Sequence, residues 1–148
     1  MAPDINVLLA ASRTDHVHHK SAYAWLSGAI TRCSSGGSIE ILPIVAAGFL
    51  RLVTNSRIFI NPTPSASALA FMSSLLRVPG VDFPEIGREW PALKALVAHH
   101  ELTGNAIPDA WIAAAVKTLG GHLVTFDRGF SRWLSRGELT VLDPEGHR

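Results

Sequence analysis

Short apolar segments alternating with helix-length stretches over 148 residues predict an α/β chain, a three-layer α/β/α sandwich around a central parallel sheet. Two observations carry that expectation. The run "LVTF" (123–126) is apolar without strict alternation, as a strand covered on both faces must be. The strand-like segments are separated by helices, the crossover that parallel pairing needs. A chain of this length buries roughly 70% of its unfolded surface, so residues 1–148 are expected to form a single domain.

In order, "APDI" (2–5) reads as a very short first strand that runs into the helix "NVLLAAS" (6–12). "HVHHKSAYAWLSGAI" (16–30) is a second helix, and "CSSGGS" (33–38) a loop. "IEIL" (39–42) is a short strand, after which Pro43 opens a helix through "IVAAGFLRLVTN", a position where its missing N–H costs nothing. "NPTPS" turns the chain into the helix "ASALAFMSSLLR" (66–77), and "VPGVDFPEI" holds a short strand between breakers. "EWPALKALVAHHEL" (89–102) is helical, and so is "NAIPDAWIAAAVKTLGG" (105–121), which stops at Gly120–Gly121. After "LVTF", a short helix through "FSRWLS" and a last strand "LTVLD" complete the chain.

The composition is 47% hydrophobic and 17% charged with a net charge of +1, which excludes a disordered chain and a whole-protein basic field. Arg outnumbers Lys, and the guanidinium fork suits phosphate and carboxylate. The lone Cys33 excludes an internal disulfide and the common Cys-based zinc sites. No apolar run reaches spanning length, and the first residues lack a signal-peptide pattern, so a reducing, cytoplasmic location is expected.

One charge stands in an awkward place. Asp109 shares a helix face with Ile112, Ala113 and Val116, where an unpaired carboxylate is costly. Asp4 ends the first strand with Asn6 two residues on, and Asp127 ends "LVTF" with Thr125 on the same side. Ligands of parallel sheets bind beyond the carboxyl ends of the strands. Taken singly, each Asp also reads as a helix cap or a first-turn acid. Together, two or three carboxylates repel and take up protons unless a cation lies between them, and oxygen ligands suit Mg²⁺ or Mn²⁺.

Other candidates read as structural. The histidines His16, His18, His19, His99 and His100 lack metal-ligand spacing. Trp25, Trp90, Trp111 and Trp133 read as core or interface before base-stacking platforms. Arg51, Arg57, Arg128 and Arg132 are candidates for an RNA backbone, with Arg128 foremost because it adjoins Asp127. A phosphatase with an aspartyl nucleophile is disfavoured, since Asn6 stands where its general acid belongs.

The segments "DINVLLAA", "GFLRLVTNSRIF", "IPDAWIAAAV" and "GGHLVTFDRGF", in this order, resemble PIN-domain proteins, specifically VapC-type toxin ribonucleases of bacterial toxin–antitoxin pairs. "DHVHHKSAYAWL" also resembles the segment after the first motif in one branch of these toxins. The resemblance implies an acidic pocket that binds Mg²⁺ or Mn²⁺ and hydrolyses RNA phosphodiester bonds. By position, Asp4 and Asp109 become metal-binding acids, Asp127 the last catalytic acid, and Asn6 and Thr125 supporting polar residues. It also implies a homodimer and a VapB-type antitoxin. One departure stands out: where the family places a Glu before "GF(L/V)R", this chain matches it with Ala46, and Gly48 also lacks a carboxylate. Glu40 is the nearest acid and is carried forward as a compensating candidate. A PIN fold that binds RNA or antitoxin without efficient cleavage therefore stays open as a second reading.

Overall fold

The computed structural model describes residues 1–145. In chain order the elements are β1 (Ala2–Pro3), α1 (Ile5–Ser12), α2 (His19–Cys33), β2 (Ile39–Glu40), α3 (Pro43–Val53) and α4 (Ser65–Leu76). Then follow β3 (Val81–Asp82), α5 (Trp90–His100), α6 (Ala106–Thr118), β4 (Leu123–Thr125), a 3₁₀ turn (Arg128–Arg132) and β5 (Leu139–Val141). All pairings are parallel, β1 with β4, β4 with β5, and β2 with β3. The two sheets meet where Glu40 N–H donates to the Met1 carbonyl at 3.0 Å, which gives the spatial order β3-β2-β1-β4-β5. Pro3 explains why that junction is so thin. The N–H groups of Ala2 and Asp4 donate to β4, and Pro3, whose nitrogen faces the other way, has no hydrogen to offer β2.

This order contains a switch point. From β1 the chain winds towards β2 and β3, then crosses back to β4 and continues outward to β5. Right-handed crossovers then put α1–α4 on one face and α5–α6 on the other. The packing agrees, with α1 against α2 and α3, α3 against α4, and α5 against α6. Leu123, Val124 and Thr125 are all fully buried although neighbours along a strand point to opposite faces, so β4 is covered on both sides. Four alanines of α6, Ala110 and Ala113–Ala115, are buried, and their small side chains let that helix lie close to its support. No helix among the described residues is long and apolar enough to cross a membrane.

Three expectations shift at their edges. The first strand is only two residues long because Asp4 leaves it to cap α1. The second helix starts at His19 and extends through Cys33, while 13–18 form a turn organised by Arg13. Near the C-terminal end, the helix expected over "FSRWLS" is a 3₁₀ turn that starts earlier, at Arg128. Arg13 is 8% exposed, and its guanidinium pairs with Asp15 at 2.7 Å. It also donates to the Asn61 carbonyl at 3.0 Å and lies 3.9 Å above the Phe59 ring, tying the α1–α2 turn to the α3–α4 connection. Arg13→Ala removes every one of these links and is expected to lower stability by about 2–3 kcal/mol, read as a shifted urea midpoint. An unchanged midpoint would mean that the two connections hold their shape without it.

Candidate active site

Asp4 is the centre of the site. It is 5% exposed and caps α1, its Oδ1 accepting from the Ile5 N–H at 2.7 Å. Its Oδ2 accepts the Thr125 hydroxyl proton at 2.6 Å. That hydroxyl oxygen in turn accepts from the Asn6 side-chain amide at 3.1 Å and from the Asp127 N–H at 3.0 Å. Asn6 Oδ1 accepts the Phe126 N–H at 3.2 Å, and Asp127 Oδ1 accepts the Gly129 N–H at 2.7 Å to cap the 3₁₀ turn. Asp109 comes from across the chain, in the first turn of α6. A cleft of about 410 Å³ collects these groups, with Asp4, Asn6, Asp109 and Asp127 in its wall beside Arg51 and Asn105. It opens beyond the carboxyl ends of β1 and β4, at the switch point, where open parallel sheets bind ligands.

The three carboxylates act on one another. Burial pushes the Asp4 carboxyl up to about 6; hydrogen bonds from Thr125 and Ile5 oppose the rise, and the charges of Asp109 and Asp127 add to it. Asp109 is raised as well, by burial first and then by Asp127, with Arg132 pulling the other way. Carboxylates whose charge is this costly fit a cation partner.

The PIN domain family model matches residues 1–133. Ribonuclease VapC31 of Mycobacterium tuberculosis is 36% identical over 135 residues, covering 89% of this chain and 92% of that protein. Ribonuclease VapC43 of the same species is 35% identical over 146 residues, covering 97% of both. This chain belongs to the PIN domain family. Among solved structures, the VapBC2 complex of Rickettsia felis bound to a promoter DNA fragment shares the fold, with a TM-score of 0.66 at 18% identity over 96% of this chain and 98% of that one.

Within this PIN domain, the sequence-predicted residues fall into two groups. Asp4, Asn6, Asp109, Asp127 and Arg51 line the cleft, and Thr125 lies buried behind it. Arg128 does not line it. It borders a separate hollow with Ser131 and Asp143, so the cation of the cleft wall is Arg51. Glu40 lies outside the cleft too. It accepts from the Ser38 hydroxyl and from the Met1 amine, both at 2.6 Å, and borders a hollow with Leu42 and Leu119, so it does not compensate for a missing acid. Ala46 is buried in α3 and borders neither the cleft nor the hollow beside it, whereas Ala47 and Gly48 border that hollow. A Cβ at Gly48 would overlap the Ile5 side chain, so the wall next to Asp4 is filled by an isoleucine.

The histidines pack as expected, with His18 stacked 4.9 Å from Phe126 and His19 bonded to the Ala10 carbonyl. Trp133 is core and Trp25 packs partly buried against the core, while Trp90 and Trp111 are exposed. Sequence reasoning missed Asn105, and also Glu89, a buried acid that accepts the Trp111 indole N–H at 2.6 Å. Burial raises the Glu89 carboxyl, but hydrogen bonds from Trp111 and Gly87 outweigh that and hold it below its usual range.

For a divalent ion the fit is partial. Among the described residues no three His, Cys, Asp or Glu side chains are grouped to hold one. A pair of carboxylates suffices for Mg²⁺, which keeps several waters and asks for one or two protein carboxylates.

Two predictions follow from this geometry. A carboxyl raised to about 6 from 3.8 contributes stability that is present below pH 4 and is lost as pH rises through 6; the loss amounts to about 3 kcal/mol. In a chelator, Asp4→Asn is therefore expected to melt above the parent at pH 7.5, with the advantage shrinking towards pH 4. Equal melting at pH 7.5 would refute the balance described for Asp4. Ala46→Glu places an unpaired charge in the core and should destabilise by about 3–5 kcal/mol in a urea titration; a neutral result would mean that position 46 reaches the cleft.

Proposed function

We propose that this chain acts as one domain, as the toxin ribonuclease of a VapBC-type pair, cutting RNA with a divalent metal. The observation that carries this reading is the meeting of Asp4, Asp109 and Asp127, from three distant parts of the chain, in one cleft at the switch point. Asp4 and Asp109 would hold Mg²⁺ or Mn²⁺, an ion for which one or two protein carboxylates suffice. When bound there, such an ion lowers the pKa of the attacking water and neutralises charge developing on the phosphate.

The chain's own groups do the positioning. Thr125 holds Asp4 Oδ2 in one orientation, and the Ile5 N–H holds Oδ1. Asp127, with Oδ1 engaged by Gly129, has Oδ2 to orient a water or take its proton. Arg51, in the wall of the same cleft, meets the phosphate backbone. The product ends are a 5′-phosphate and a 3′-hydroxyl. A VapB-type antitoxin is the protein partner, a reading supported by the VapC ribonucleases it resembles; a second copy of the chain and a cytoplasmic location rest on the family resemblance alone.

The second reading, a PIN domain that binds without efficient cutting, draws on one observation: α3 offers no acid to the cleft. Purified, antitoxin-free protein separates the two. With a mixed tRNA and rRNA pool, cleavage is expected in Mn²⁺ or Mg²⁺, absent in EDTA, and lowered at least about 100-fold by Asp109→Ala. Folded protein that cuts in neither metal would leave only the binding module, and cutting that survives Asp109→Ala would place the chemistry elsewhere.

A further inference from the structure

Beside the acid cleft lies a second hollow of about 580 Å³, largely apolar, bordered by Ile44, Ile107 and Trp111 and sharing Arg51 and Asn105 with the cleft. The two hollows are neighbours that also share Ile5 and Pro108 in their walls, one acidic and the other apolar. Trp111 follows Ile107 and Pro108 at helical spacing, so the face of α6 that leaves the acids leads straight to it. Trp111 is 37% exposed, yet its indole N–H is fixed by Glu89, a residue only 3% exposed. No cation pairs with Glu89 among the described residues; its partners are Trp111 and the Gly87 N–H at 2.6 Å. The bonds from Trp111 and Gly87 more than offset the burial of this charge, and one of them holds a partly exposed aromatic ring in one orientation. Folding alone does not call for that, since Trp111 contributes little to the core.

We infer that this hollow is a nucleobase subsite, with Trp111 as the stacking platform for an unpaired base of the RNA whose backbone enters the acid cleft. Arg51 is exposed, carries no ion pair among the described residues, and stands where the two hollows join, at the place a phosphate between base and cleft would occupy. Asn105, also shared, offers donors and an acceptor to a base edge. An aromatic face accepts every base, so the subsite demands single-stranded RNA rather than a particular nucleotide. Trp111 is a positioning residue, remote from the proton transfers. The inference rests on the ribonuclease reading for its choice of RNA.

The test is binding, in full-length Asp109→Asn protein that does not cut, of a short fluorescein-labelled single-stranded RNA of mixed sequence and of a matched abasic ribose-phosphate strand. Because altering Trp111 strips Glu89 of its donor, all variants are made in Glu89→Gln and their melting recorded. Trp111→Leu keeps apolar bulk without the ring and is expected to weaken RNA binding about 5- to 150-fold while leaving the abasic strand unchanged. Trp111→Phe, with a ring but no N–H, is expected to stay within about 3-fold of its parent. A Leu variant that binds RNA as its parent does, an equal loss on the abasic strand, or a Phe variant as weak as Leu would each overturn the inference. Unchanged RNA binding with loss of dimerisation on sizing would assign the hollow to a second copy instead. Cleavage by the unaltered chain alongside Trp111-independent binding would sink this inference alone. Trp111-dependent binding without cleavage in any metal would sink the nuclease reading alone.

Discussion

Thr125 has one hydroxyl proton to give, and the rest of the site follows from its going to Asp4. With that proton committed at 2.6 Å, the oxygen can only accept, so its remaining lone-pair directions select donors: the Asn6 amide and the Asp127 N–H. The direction of the Asn6 amide is thereby fixed, and its carbonyl oxygen is turned towards the Phe126 N–H. One buried hydroxyl thus joins the end of β1 to the end of β4 and sets the orientation of an acid, an amide and a loop. The same bond also governs charge. Burial alone drives the Asp4 carboxyl towards its neutral form, and the bonds from Thr125 and Ile5 hold the rise to about 6, which leaves it ionised at neutral pH.

The topology places this network where a crevice must exist. Because the chain leaves β1 in one direction and β4 in the other, no crossover helix covers the seam between their carboxyl ends. Each acid reaches that seam on the N-terminal end of a helix or turn: Asp4 caps α1, Asp127 caps the 3₁₀ turn, and Asp109 lies in the first turn of α6. Capping and catalysis are therefore not competing explanations for these residues. Helix N-termini favour negative charge, and that local preference helps three carboxylates share a cleft that their mutual repulsion would otherwise empty of charge.

Periodicity and breakers were enough to read the element order and the parallel sheet, because both depend on local chemistry repeated over many residues. The convergence of Asp4, Asp109 and Asp127 was legible for a related reason: strand ends and helix starts are the points whose location a parallel topology dictates. What stayed hidden depends on side chains meeting across the fold. Arg128 adjoins Asp127 in sequence, but it borders a different hollow, while Arg51, far away in the chain, lines the cleft with the acids. Glu40 looked available until Ser38, two residues back on the same strand edge, was seen to hold it. Glu89 read as an ordinary residue ahead of a Trp-Pro helix start, and nothing local to it announces an indole twenty-two residues later in the chain.

The absent acid and the apolar hollow are two sides of one packing choice. Gly48 has no side chain, and Ile5 occupies the volume a Cβ there would need. Ile5 would have to turn its side chain away from such a Cβ, while its own N–H stays the donor that caps Asp4. A side chain at Gly48 would press on the residue that caps Asp4, and the acid that the family resemblance implies, at Ala46, would fall in the core. With isoleucine instead, the cleft carries one fewer negative charge, which eases repulsion on Asp4 and Asp109 and leaves more of any ion's shell to water. The same isoleucine extends an apolar wall from the acids towards Ile44 and Trp111. On the proposed reading, such a site would depend less on gripping a metal and more on holding the nucleic acid around it, the division of labour that a fixed Trp111 and Arg51 at the junction would supply.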